Sequence, residues 1–269
     1  MFGRPCPALR SKVLRYCGYV EPAGGGATRV QLSSGVVALV VGFGSPVRVA
    51  YPCHPAGGST ARVTSFVAGL HSVYAVVESP ERQRGVQVDL TPLGAHMLLG
   101  VPMGALADRV VELEAVLGRF GARLAERLHE ADNWQARFKV LDATLARRLA
   151  GAREPSPAIS WAWRRLTETD GRLGIGALAD ELGASRQYLI TRFREEIGVA
   201  PKLLARILRF QHGVSLLEAD EEVSLARVAH VSGYHDQAHL NRDFRQFAGS
   251  TPTEFLARRM PDGTGVTRG

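Results

Sequence analysis

Residues 175–201 read IGALADELGASRQYLITRFREEIGVAP, and residues 224–252 read SLARVAHVSGYHDQAHLNRDFRQFAGSTP. The second stretch repeats the first. Aligning Phe193 with Phe244 pairs Leu189 with Leu240, Gly198 with Gly249 and Pro201 with Pro252, an offset of 51 residues. Upstream the offset is 50, pairing Ala179 with Ala229, because the second copy holds one extra residue at its turn. Repetition at fixed spacing marks a repeated structural unit. In the first copy Leu178, Ala179 and Leu182 give a short helix one apolar face, and Gly183 supplies a turn. Ser185 then stands where a hydroxyl can accept from an orphan amide of the next helix. The second copy uses Gly233 and Asp236 for turn and cap. The longer second helices end near Gly198 and Gly249, and Pro201 and Pro252 start new helices at positions that need no amide proton. Each copy is predicted to be a helix-turn-helix.

The second helix of each copy has two faces. Leu189, Phe193 and Ile197 share one, as do Leu240, Phe244 and Phe247, and these anchor the helix to its domain. The opposite face carries Arg186, Gln187, Ile190, Thr191 and Arg194 in copy one, and Gln237, Ala238, Asn241, Arg242 and Arg245 in copy two. A merely solvated face is often rich in Glu and Lys. Gln, Asn, Thr and Arg are the side chains that pair with base edges, touch a thymine methyl or hold a phosphate. Between the copies, residues 201–218 alternate apolar and polar positions with helical period. Eighteen such residues span roughly 27 Å, close to one DNA turn of about 34 Å. One chain could then present two reading helices to adjacent major-groove segments.

The tandem arrangement resembles the AraC/XylS family of bacterial transcription regulators over about residues 159–259. GYHDQAHLNRDFRQFAGSTPTEF at 233–255 fits that family's signature, as do SRQYLITRFREEIGVAPKLL at 185–204 and RFQ at 209–211. Upstream, DNWQARFKVLDATLARRL at 132–149 and ISWAWRRL at 159–166 resemble a branch with an N-terminal sensor-like domain. By position the resemblance places base-reading sites on Gln187, Ile190, Thr191, Gln237, Ala238, Asn241 and Arg242. Ile190 is apolar and Ala184 is small where the branch often has an aromatic, so copy one is expected to read thymine methyls or shape as well. The resemblance implies no cofactor. It implies double-stranded DNA as partner, with RNA polymerase, a small-molecule effector and a second copy of the chain as further partners, and activation as the usual outcome.

At 269 residues two domains are expected, and 45% apolar content is ample for their cores. The net charge of +7 suits a polyanionic partner. Its distribution does not by itself argue for DNA. From Gly151 onward there are 16 Lys+Arg against 15 Asp+Glu, while residues 1–150 hold 17 against 11. Segregation is what matters: arginines on the reading helices, carboxylates gathered at Glu218, Asp220, Glu221 and Glu222. No apolar run is long enough to span a membrane, and the start lacks a signal core, so a cytoplasmic, nucleoid-associated location is expected. Three irregularly spaced cysteines, Cys6, Cys17 and Cys53, argue against a disulfide framework.

The fold class expected is α+β. Residues 1–92 read as a β-rich, sensor-like domain, with an apolar run at 36–41, alternation at 86–90, and candidates at 61–70 and 72–78. Gly24-Gly25-Gly26, Pro52 and Gly57-Gly58 break them. An antiparallel barrel or sandwich fits, and the family resemblance implies a cupin-like one. Residues 93–150 read as a helical connector. Leu106, Val110, Leu113, Leu117, Phe120 and Leu124 recur at heptad spacing, read either as a dimer seam or as packing within one chain. Trp134, Phe138, Leu141, Leu145 and Leu149 line a second helix. Residues 151–157, GAREPSP, form a linker to an all-α domain at 158–260 with helix-turn-helix units at 175–198 and 224–249. Cys53-His54, His71 and His96 are the residues to inspect for metal or catalysis, but their spacing gives no converging ligand set. The competing reading is a ligand-binding or enzymatic β-barrel whose helical C-terminal domain mediates protein contacts.

Overall fold

The computed structural model describes residues 1–21, 27–53, 59–79, 81–219, 223–258 and 266–267. The β-rich part builds two antiparallel sheets. Its strands are β1 (Phe2–Gly3), β2 (Val13–Glu21), β3 (Ala27–Gln31), β4 (Val37–Gly42), β5 (Val47–Tyr51), β6 (Ser59–Val63), β7 (Phe66–Ala68), β8 (Ala75–Ser79), β9 (Gln83–Leu90), β10 (Val110–Glu112) and β11 (Val266–Thr267). One sheet runs β1-β2-β9-β4-β7-β10 and the other β11-β3-β8-β5-β6. β9 pairs with both β2 and β4, which places Val86, Val88 and Leu90 against the core, all fully buried. Asp89 is also buried, and Arg15 of β2 pairs with it at 2.5 Å. The expected strand at 61–70 is two strands, β6 and β7, and only the later part of 72–78 is strand. His54, the glycines of 24–26 and 57–58, and Asp220, Glu221 and Glu222 lie outside the described residues.

The helices are α1 (Pro92–Leu99), α2 (Leu113–Leu117), α3 (Arg119–Glu130), α4 (Trp134–Ala150), α5 (Pro157–Glu168), α6 (Ile175–Leu182), α7 (Arg186–Glu196), α8 (Pro201–Ala219), α9 (Leu225–Val231), α10 (Gln237–Ala248) and α11 (Pro252–Arg258). Thr91 caps α1, accepting from the Gly94 amide at 3.0 Å, and Asn133 caps α4 in the same way from Ala136 at 2.9 Å. α4 lies on the first sheet, where Gly3 and Gly18 leave room for the rings of Phe138 and Trp134. Leu141 and Leu145 of α4 are fully buried.

The heptad reading of 106–124 is corrected. Val110 sits in β10, paired with Ala68 of β7, and the chain then forms two helices rather than one. The break is Gly118, whose φ of +53° is a left-handed turn that suits glycine. Leu106, Leu113, Leu117 and Leu124 are buried in the chain's own core, the alternative of packing within one chain.

Two cores join the β-rich part to the C-terminal helices. The larger one runs from Val37, Val88 and Leu98 through Leu141 and Leu145 to Leu178, Leu189, Phe193 and Leu204. A second gathers Ile207, Phe210, Val214, Leu240, Phe244, Phe247 and Phe255, with Val30 of β3 against them. α8 therefore belongs to both, its first turns to one core and its later turns to the other.

Candidate nucleic-acid interface

Both helix-turn-helix units fold as their sequences require. α6 ends at Gly183, in left-handed conformation with φ +64°, and Ser185 then caps α7, its hydroxyl accepting from the Tyr188 amide at 3.1 Å. In the second unit Gly233 makes the turn with φ +78°, and Asp236 caps α10, accepting from the His239 amide at 2.7 Å. That amide bond, then the His235 ring, hold the Asp236 carboxyl below its ordinary range. α10 ends at Gly249 with φ +70°. Pro201 and Pro252 are the first residues of α8 and α11. Leu189, Phe193, Ile197, Leu240, Phe244 and Phe247 are all fully buried. Edge-to-face aromatic rings lock the second unit: the Phe210 ring centre lies 4.9 Å from that of Phe244, and Phe244 lies 5.9 Å from Phe255.

Anchored on those faces, the helices leave the expected side chains outside. Arg186, Gln187, Thr191 and Arg194 of α7 are exposed, as are Gln237, Ala238, Arg242 and Arg245 of α10. Ile190 and Asn241 are half-buried. The Asn241 Oδ1 is buried with no hydrogen-bond partner among the described residues. Spacing alone passes over Tyr188, which stands 44% exposed beside Gln187. An exposed aromatic in a basic, polar helix is the signal that would have found it.

The arginines of these two helices divide into two sets. Arg192 pairs with Glu195 at 2.5 Å and with the buried Glu196 at 2.7 Å. Glu196 in turn accepts from the Ser156 amide at 2.8 Å, tying α7 to the segment before α5. Buried Asp243 of α10 pairs with Arg206 of α8 at 2.6 Å. These pairs hold helices together. Arg186, Arg194, Arg242 and Arg245 make no ion pair within 4 Å among the described residues. Asp236 and Glu254 act on Arg242 and Arg245 only from beyond that distance, so these exposed arginines can still meet an external anion.

The last turn of α10 is also held from the N-terminal side. The Ser33 amide donates to the Phe247 carbonyl at 2.9 Å, and the Tyr74 amide to the Gln246 carbonyl at 3.1 Å. The Gln246 side chain donates to the Ser72 carbonyl at 2.8 Å and accepts from Arg206 at 2.7 Å. One residue before Ser72, His71 is buried with Tyr51 at 3.4 Å, and its ring is pushed down to about 4 by burial, with Asp108 opposing. Among the described residues no group of three or more His, Cys, Asp or Glu converges as a metal site. Cys53 is exposed, Cys6 and Cys17 are half-buried, and His96 lies on α1.

A family model described as a helix-turn-helix domain matches residues 178–258. The C-terminal helices form an AraC-type helix-turn-helix domain, the DNA-binding part of a regulator of transcription. A second model, described as a domain of unknown function, matches residues 3–112 and so runs through β10. No curated protein matches the chain. Among solved structures, ToxT from Vibrio cholerae is similar over 90% of this chain and 97% of its own, at 13% identity and a TM-score of 0.50. That likeness is one of fold. The C-terminal domain of AraT, a response regulator from Geobacillus stearothermophilus, is similar over 39% of this chain and 88% of its own, at 23% identity and a TM-score of 0.37. No described helix is long and apolar enough to cross a membrane.

Proposed function

We propose that this protein is a sequence-specific regulator that lays α7 and α10 into two adjacent major-groove segments of one duplex. Its N-terminal domain then acts as a sensor for a small molecule or partner. The observation that carries the reading is the division of the arginines on α7 and α10: Arg192 is ion-paired within the fold, while the exposed Arg186, Arg194, Arg242 and Arg245 make no pair within 4 Å among the described residues. Outward arginines supply phosphate contacts, which give affinity without sequence information. Arg242 and Gln237 are the base-contact residues, since Arg matches guanine and Gln matches adenine bidentately. Ala238 and Ile190 offer methyl contacts to thymine. The 19 residues of α8 span about 28 Å, a spacing compatible with reading heads one turn apart. The bonds from 33, 72 and 74 to the end of α10 give the N-terminal domain a direct hold on the second reading helix.

Binding of the full-length protein to a selected operator, followed by fluorescence anisotropy across salt concentrations, tests this. Affinity should fall steeply as salt rises. Arg242→Ala should weaken the cognate site by about 1–3 kcal/mol, and random duplex by much less. Salt-independent binding, or an unchanged cognate affinity in Arg242→Ala, refutes the assignment.

A further inference from the structure

A cleft of about 570 Å³ opens where the first sheet meets the start of α4, far in sequence from either reading helix. Its volume falls in the range of small-molecule sites, about 300–1,000 Å³. Arg82 and Arg84 of β9's segment and Arg137 of α4 line it, with Phe43, Asn133 and Trp134. Arg137 is only 3% exposed. Its Nε donates to the Leu128 carbonyl at 2.9 Å, and its terminal nitrogens make no hydrogen bond to a described residue. Its guanidinium lies 5.1 Å from both the Phe43 and the Trp134 ring centres. The Arg84 guanidinium approaches the same two rings, at 5.9 and 6.0 Å.

Two like charges are therefore held side by side by the same pair of rings. Burial, then the neighbouring Arg84, push the Arg137 guanidinium below its ordinary range, with Asp132 opposing. Among the described residues Asp132 is the one carboxylate lining the cleft, so three arginines and one aspartate there leave two positive charges. The start of α4 borders the same place through Asn133 and Trp134, although the Ala136 amide is already held by the Asn133 side chain. The rings fix the guanidinium planes in advance, so little rotamer freedom is lost when an anion arrives.

We propose that this cleft binds a small organic phosphate, held by Arg82, Arg84 and Arg137 beside the start of α4. A phosphate monoester carries about −1.5 to −2 at neutral pH and matches the two uncompensated charges, whereas a monocarboxylate leaves one behind. Exposed Val20 at the rim, 46% exposed, gives the organic part an apolar contact. The inference deepens the sensor reading by naming the class of ligand, and it rests on that reading only for the ligand's effect on DNA.

Binding is therefore measured without DNA, by calorimetry on the full-length chain at low salt, with phenyl phosphate as probe. The expected result is one saturable site per chain and a raised melting temperature. Arg84→Gln, at an exposed position, should bind at least tenfold more weakly while melting like the wild type. Arg48→Gln, whose arginine is paired to Glu78 on the other sheet, should bind as the wild type does. Benzoate and inorganic phosphate should each bind at least tenfold more weakly than phenyl phosphate. The proposal is overturned by absence of a saturable site, by full affinity in Arg84→Gln, or by either control anion matching phenyl phosphate. The operator-binding assay on the same protein reports separately on the regulator reading.

Discussion

Asp243 and Arg242 are neighbours on α10, yet the fold assigns them opposite work, and replacing each by Ala should separate the two. The Asp243 side chain is 2% exposed and lies 2.6 Å from Arg206 of α8. Deleting one partner of a buried ion pair typically costs about 3–5 kcal/mol, because the other charge is left uncompensated. Arg206 here is 27% exposed, keeps the Gln246 oxygen at 2.7 Å, and lies 5.0 Å from the Phe247 ring centre. Those remaining partners and its access to water reduce the loss to about 2–3 kcal/mol. For a chain of this size each kcal/mol lowers Tm by roughly 2–4 °C, so Asp243→Ala should melt about 4–12 °C below the wild type. Arg242 is exposed and unpaired, so Arg242→Ala should stay within about 0.5 kcal/mol of wild-type stability while losing operator affinity. Calorimetric melting and anisotropy on the same samples decide it. If Asp243→Ala melts with the wild type, or Arg242→Ala is as destabilised as Asp243→Ala, the two faces of α10 have been assigned wrongly.

Further outcomes follow from other contacts. His71 is neutral when folded, with its ring pushed down to about 4, against about 6.5 when unfolded. The unfolded chain then takes up the proton first, so His71's contribution is constant above pH 6.5 and is lost as pH falls towards 4, by roughly 3 kcal/mol in all. Melting curves between pH 6.5 and 5 should slope less in His71→Gln than in the wild type; equal slopes would remove His71 as the cause. Gly249→Ala must adopt φ +70° and place its Cβ 2.9 Å from the Tyr74 ring, so a loss of at least about 1 kcal/mol is expected in chemical denaturation. Unaltered stability would mean that α10 does not rest on the 72–74 segment. Ser185→Ala removes the cap of α7 and should cost about 1 kcal/mol, with Ser185→Asp restoring most of it; an unaffected Ser185→Ala midpoint would deny the cap its role.

The C-terminal half was legible because its signals are local. Caps at Ser185 and Asp236, turn glycines at 183 and 233, and the period of Leu189-Phe193 and Leu240-Phe244 each act within one or two turns of helix. The outward residues followed from the buried ones, except that Ile190 and Asn241 sit partly inside, against neighbours that spacing cannot see. The 106–124 segment misled because apolar residues at heptad spacing satisfy more than one path. Here a strand, a short helix and a longer helix each send leucines to the same sheet-backed core, and the positive φ of Asp108 and Gly118 and the pairing of Val110 with Ala68 separate that path from a straight rod. The clasp of Ser33, Ser72 and Tyr74 on α10 left no trace in sequence, since it is made mostly of backbone groups that every residue carries. The arginine-lined cleft likewise joins residues 43, 84 and 137, which no local pattern connects.

α8 also acts as a phase gauge. Leu204 and Ala205 seat it in the larger core, and Ile207, Phe210, Val214 and Leu217 seat it in the second. Each added residue would advance the far end by about 1.5 Å and swing it by about 100°. The aromatic wedge of Phe210, Phe244 and Phe247 would swing away from β3, and Gln246 would leave Ser72, before any duplex was present. The angular setting of α10 relative to α7 is thus ratified by the β-rich body, and drift in the length of this one helix is penalised at folding.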